Sequence, residues 1–156
     1  MIKFKDSGFA YIWMLVILSI LTIAIGQWSI NYATLLQREK EYELIRIGSL
    51  YKVAFNQYYN NSPVGYPRYP TKLEDLLTDN RHNQIFRYLR KIEKDPITNK
   101  DFEIVRNKDN GIIGVYSISS KKPIKIKNFP KEFVAFEKAN NYEDWKFLCE
   151  CVKASN

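Results

Sequence analysis

The sequence predicts an α+β fold: one long N-terminal helix, a transmembrane half followed by an amphipathic half, packed on a small antiparallel sheet of about three or four strands. Three observations carry this expectation. Residues 7–37 contain no charged side chain, whereas charge is dense from Arg38 onward. Leu44, Ile47, Tyr51, Phe55 and Tyr58 recur at spacings of 3, 4, 4 and 3, which is one face of a helix. Beyond Pro63 the pattern changes to turn residues and short β-branched or aromatic runs.

The first element is read from residues 9–28, FAYIWMLVILSILTIAIGQW. About 20 uncharged residues is the length a helix needs to cross a hydrocarbon core of roughly 30 Å. Tyr11, Trp13 and Trp28 lie near its ends, where aromatic rings favour the membrane–water interface. Lys3 and Lys5 precede the run and Arg38 is the first charge after it. Lysines at that end predict a cytoplasmic N-terminus and an exported C-terminal part. A cleaved secretory signal would have an apolar core of roughly 7–15 residues and a small-x-small site after it. This run is longer, and Ile25-Gly26-Gln27-Trp28 is a poor site.

No proline interrupts the chain before Pro63. The helix is therefore expected to continue from about Phe9 to about Tyr59, a path on the order of 75 Å at roughly 1.5 Å per residue. Arg38 with Glu41 and Glu43 with Arg46 are spaced to pair along it. Gly26 and Gly48 are expected soft points. Asn60-Asn61-Ser62-Pro63 supplies the stop.

In the C-terminal part, Thr71-Lys72-Leu73-Glu74 fits a capping box, predicting a short helix over 72–78. Ile85, Phe86, Leu89 and Ile92 suggest a second over 83–92. Residues 95–99 read as a turn, 102–105 as a strand, 107–110 as a turn and 111–119 as the strongest strand. The alternation of lysine with Pro123, Ile124 and Ile126 suits an exposed edge over 122–127. A last strand is expected over 145–152.

The chemistry expected is sparse. The net charge of +7 is spread along the chain, which suits a solvated surface or contact with acidic headgroups or an acidic partner. His82 is the only histidine, so no zinc site is expected. A bridge between Cys149 and Cys151 would be strained, and the pair reads as small, half-buried residues or a weak redox couple. Asp95, Asp101, Asp109 and Asp144 lack calcium-loop spacing. Glu74 and Asp75 read as helix-start charges. Ser117, Ser119 and Ser120 have no nucleophile-elbow glycine pattern, and no phosphate-binding glycine loop appears. No enzyme activity, no cofactor and no metal is therefore expected.

The short leader MIKFKDSG, ending in Gly8 and followed by Phe9 and the apolar run, resembles the prepilin signal of type IV pilins and type II secretion pseudopilins. The resemblance implies that a membrane-embedded prepilin peptidase cuts after Gly8 and methylates Phe9. The fifth residue after that cut is normally glutamate in the family, where it meets the N-terminal amine of a neighbouring subunit. Here it is Trp13, which cannot do so. Further pieces are similar to a branch of type II secretion pseudopilin-like proteins: REKEYEL at 38–44, Tyr58-Tyr59, YP-x-x-LEDLL at 69–77, Leu89-Arg90, DP-x-T at 95–98, GI-x-GV-x-S-x-S at 111–119, and Tyr142-x-Asp144-Trp145-x-Phe147.

The organisation then implied is a leader at 1–8, a transmembrane segment at 9–28, a helical continuation at 29–60 and an α+β periplasmic domain at 61–156. The implied role is a minor pseudopilin in the bacterial inner membrane, single-pass, with its C-terminal domain periplasmic. The implied partners are other pseudopilins or pilins, the prepilin peptidase, an assembly platform with its ATPase, and lipid; no nucleic acid is expected. The alternatives are a minor pilin of a type IV pilus or DNA-uptake machine, and a membrane-anchored periplasmic binding domain or enzyme.

Overall fold

The computed structural model describes residues 7–63 and 67–151. The fold is α+β: a long N-terminal helix, α1 (Ser7–Asn60), and a three-stranded antiparallel sheet. The chain divides into two compact units, one ending at Gln37 and one beginning at Arg38. The boundary falls where the uncharged run gives way to REKEYEL.

Within the second unit, the predicted stripe is the core face of α1. Leu44, Ile47, Tyr51, Phe55 and Tyr58 are all buried, and Ala54 joins them. They meet Leu76, Phe102, Ile112 and Val115 from the sheet side and an aromatic group from the last third of the chain. In that group Phe136 stacks on Trp145 at 5.5 Å between ring centroids and meets Phe147 edge-on at 5.3 Å. Large rings remove much apolar area from water per residue, so a small domain gains a sizeable core from few positions.

The sheet has the order β1 (Glu103–Arg106), β2 (Ile112–Tyr116), β3 (Phe147–Leu148). Ile104 pairs with Val115, and Val115 with Phe147. The β1–β2 turn is held by Asn107, whose Oδ1 accepts the N–H of Asp109 at 3.0 Å and of Gly111 at 2.7 Å. Asn110 in this turn has φ 63°, a left-handed conformation that asparagine tolerates. Asp95 is fully buried in the turn before β1. It accepts the Ile97 N–H at 2.9 Å, the Thr98 hydroxyl at 2.6 Å and the Ser117 hydroxyl at 2.8 Å.

Helix α1 stops at the predicted Asn-Asn-Ser-Pro signal, and its last turn is closed by a residue the sequence did not single out. Arg81 donates to the Tyr58 carbonyl at 2.8 Å and to the Ser62 hydroxyl at 2.9 Å, and its guanidinium lies 3.6 Å over the Tyr58 ring. Asp79 fixes that guanidinium by bonds of 2.8 and 2.7 Å. A cation at this end meets the carbonyls a helix leaves unpaired.

Several expectations are corrected. The 72–78 helix is a single 3₁₀ turn, Leu73–Leu76, and its cap is Asp75 rather than Glu74. Asp75 Oδ2 accepts from the Thr71 and Lys72 N–H groups at 2.9 and 3.0 Å. The 83–92 helix is absent: Tyr88 and Leu89 donate instead to the Leu76 carbonyl, and Ile85 and Phe86 are exposed. Residues 122–127 are not an edge strand, because the N–H groups of Ile124 and Lys125 are taken by the Glu41 carboxylate. Glu41 therefore does not pair with Arg38, whereas Glu43 and Arg46 do pair, at 2.8 and 2.6 Å. The expected strand 111–119 keeps only Ile112–Tyr116, and 145–152 only Phe147–Leu148, with Val152 outside the described residues. Gly48 is not a soft point, since the Phe147 ring packs directly on it inside a continuous helical assignment. Cys149 and Cys151 form a disulfide with Cα atoms 5.3 Å apart, within the ordinary range for such bonds.

Candidate membrane-embedded segment and processing junction

The first unit is built on the uncharged part of α1. Its most apolar window has a mean hydropathy of 2.3 and buries none of its residues. Among the described residues this is the one helix long and apolar enough to cross a membrane. Exposure of that kind has a strong physical consequence. Phe9, Ile12, Leu15, Ile20, Ile23 and Ile25 all face outward, an apolar surface that water disfavours and lipid accepts. The helix also solves the polar problem that lipid poses. Its backbone groups bond within the helix, and the hydroxyls of Ser19 and Thr22 donate to the carbonyls of Leu15 and Leu18, both at 2.8 Å. Internal satisfaction of this type is what a spanning helix requires.

Gly8 and Phe9 both lie in the first turns of α1. Lys3, Lys5 and Asp6 of the expected leader lie outside the described residues. Phe9 is 69% exposed, and its ring meets that of Trp13 edge-on at 6.2 Å. At the position where the family resemblance expects a carboxylate, this helix thus presents an indole against the first aromatic ring. No charged side chain occurs anywhere in residues 7–37 that could meet a terminal amine instead.

In the second unit several of the polar residues singled out from sequence are tied up in the fold, while Glu74, Asp101, Asp109 and Ser120 are exposed. His82 Nε2 sits 2.6 Å from the Asn61 carbonyl. Ser117 is committed to Asp95, and Asp144 Oδ2 accepts the Asn140 and Asn141 N–H groups at 2.9 and 3.1 Å. Among the described residues no three His, Cys, Asp or Glu side chains gather closely enough to hold a metal ion. The Glu43 carboxyl is lowered by its hydrogen bonds from Arg46, and the carboxyl shifted furthest is Asp79. Burial would raise it, but hydrogen bonds from Arg81 and Tyr88 prevail and hold it down at about 2. Burial raises the phenols of Tyr58, Tyr69 and Tyr88 and shifts Tyr51 furthest, up to about 12, with its hydroxyl hydrogen-bonded to the Glu93 backbone.

Sequence reading missed two arrangements here. One is Glu41, only 2% exposed, whose carboxylate gathers Ile124 N–H, Lys125 N–H and the Tyr142 hydroxyl. The other is Lys52, 6% exposed, whose ammonium bridges Glu132 at 2.9 Å and Glu150 at 2.8 Å. Both were hidden because their partners lie 80 or more positions away.

Fold and segment together define an α+β protein with one N-terminal helix able to span a bilayer. No family model matches the chain, and no curated protein or solved structure matches it.

Proposed function

We propose that the chain is a structural subunit of a type IV pilin-like filament, a minor pseudopilin of a type II secretion machine. The observation that carries this reading is the change of character along α1. Its early part exposes apolar side chains on every face, whereas from Leu44 to Tyr58 a single stripe is buried against a sheet. In this reading the first part is stored in the inner membrane and later packs against helices of neighbouring subunits. The second part fixes the exported domain to the same helix. Extraction from lipid removes apolar contacts, so side-by-side packing in the filament must restore them. An assembly platform and its ATPase would supply the work.

The Trp13 indole suits a subunit that has no amine to neutralise, such as one at a filament tip. It keeps the first turns wholly apolar and avoids the expense of an unpaired carboxylate in hydrocarbon. The test is the mass of the mature N-terminus from cells with an active prepilin peptidase. Loss of residues 1–8 with a methyl group on Phe9 is expected. Retention of Met1–Gly8 in such cells sinks the assignment and leaves a plain membrane-tethered domain.

A further inference from the structure

A basic and partly apolar patch forms where the charged part of the chain begins. Arg38 is the first charged residue after the uncharged run, and Tyr42 and Ile45 follow it on the same face of α1. Glu41 turns inward from the same stretch. Its carboxylate grips the Ile124 N–H at 2.5 Å and the Lys125 N–H at 3.1 Å, which draws residues 124–127 against the helix. Arg38, Tyr42, Ile45, Ile124, Lys125 and Lys127 then line one open groove with Ile126. Tyr42 is 76% and Ile126 56% exposed, so the apolar component faces outward among the cations. Glu41 lines the same groove with its carboxylate turned inward, whereas the neighbouring Glu39 and Lys40 do not line it. Among the described residues, Arg38, Lys125 and Lys127 take part in no ion pair, and the Lys125 ammonium lies 5.1 Å from the centre of the Phe129 ring.

We infer that this patch docks on the phosphate headgroups of an anionic lipid bilayer, a role that rests on the membrane-anchored reading above. Several cations without carboxylate partners complement a negatively charged surface. A tyrosine and an isoleucine between them suit the headgroup boundary, where an amphipathic ring and a shallow apolar contact are both accommodated. Covalent continuity supplies the rest of the argument. The patch starts at the residue that ends the uncharged segment, so an anchored chain holds it at high effective concentration beside the membrane. A weak surface contact is sufficient under that condition. The buried Glu41 carboxylate keeps the lysine-bearing loop in place, so the surface is formed before it meets lipid.

The test uses the full chain in lipid nanodiscs of pure phosphatidylcholine or of phosphatidylcholine mixed with phosphatidylglycerol. Brief amine acylation is read by mass spectrometry at Lys127, with Lys108 on the β1–β2 turn as the internal reference. Slower acylation of Lys127 is expected in the anionic discs only. About 1 M salt, which shortens the screening length to roughly 3 Å, should remove the difference. Lys125→Gln should reduce the protection of Lys127 by roughly fivefold, the equivalent of one headgroup-facing charge. Equal acylation in both discs overturns the inference. So does protection that is independent of lipid charge but rises with the number of chains per disc, which marks a protein partner. Failure of the chain to enter either disc overturns the anchored reading itself, and this inference with it.

Discussion

The ring of Phe147, on the last strand, occupies the space that a side chain on Gly48 of α1 would need. The helix and β3 therefore approach each other through a missing Cβ. Alanine normally favours a helix interior over glycine by about 1 kcal/mol. At Gly48 that gain is opposed by overpacking, typically 1–3 kcal/mol. Gly48→Ala is expected to lower the unfolding midpoint of the second unit, and Gly48→Val to lower it further. Gly26→Ala is the matched control, because nothing lies within 4 Å of a Cβ there. It should leave that midpoint unchanged. Thermal unfolding followed by near-ultraviolet circular dichroism makes the comparison.

Glu41 organises a loop more than 80 positions away, so its loss should be felt there first. Glu41→Ala leaves the Ile124 and Lys125 amides without their acceptor and the Tyr142 hydroxyl without this one. Hydrogen bonds to a charged group contribute about 1.5–3 kcal/mol each, and they are not additive. Amide hydrogen exchange at Ile124 and Lys125 is expected to accelerate by about tenfold or more, while the β1–β2 pairing changes little. Uniform acceleration across the sheet would instead mark global destabilisation.

Asp79 gives the second unit an acid limit. Its carboxyl is held at about 2 in the folded chain, below its ordinary value of 3.8. The ionised form is therefore the one the fold prefers. The associated stability, on the order of 2 kcal/mol, is fully present above pH 5 and is lost as pH falls through the folded value. Asp79→Asn should remove this part of the acid sensitivity and lower stability at neutral pH. Chemical unfolding at pH 7 and pH 3 measures both effects. An Asp79→Asn chain with unchanged pH dependence would rule out this carboxyl as the source.

Lys52 should respond differently according to which side of its ion pairs is removed. Changing Glu132 and Glu150 together to glutamine leaves a nearly buried ammonium without either counter-charge. That double change is expected to destabilise by about 3 kcal/mol or more. Lys52→Met keeps the aliphatic length beside the Phe133 ring and discards the charge, and is expected to be close to neutral. Denaturant midpoints of the two variants distinguish the cases, and equal losses would contradict the argument.

The parts of this fold that the sequence revealed are those governed by local period. The stripe from Leu44 to Tyr58 needed only helical spacing, and the helix stop and the Asn107 turn needed only residue type. The 83–92 segment failed for the opposite reason. Its apolar spacing suits a helix, yet the Leu76 carbonyl captures the N–H groups of Tyr88 and Leu89, and the bridge between Asp79 and Phe86 fixes an extended path. Residues 122–127 alternate like a strand, but their N–H groups answer to Glu41. In the apolar segment, length and lack of charge were both legible from composition. The indole at Trp13 could be read as a departure from a family pattern, whereas its edge-on contact with Phe9 could not.

The ties from Glu41 to Tyr142, from Lys52 to Glu150 and from Asn56 to the Glu150 N–H all join α1 to the final part of the chain. Contacts of such long sequence separation form late and slowly. A polypeptide still under synthesis, complete only to Asn140, has neither the rings of Tyr142, Trp145 and Phe147 nor the counter-charge of Glu150. Its helix can meet Leu76, Phe102, Ile112 and Val115, but the part of the core face that Tyr142, Trp145 and Phe147 complete stays uncovered until those residues arrive. For this chain the hazardous interval thus lasts until residues 142–150 are made, and their removal is a more damaging lesion than their distance from the apolar segment suggests.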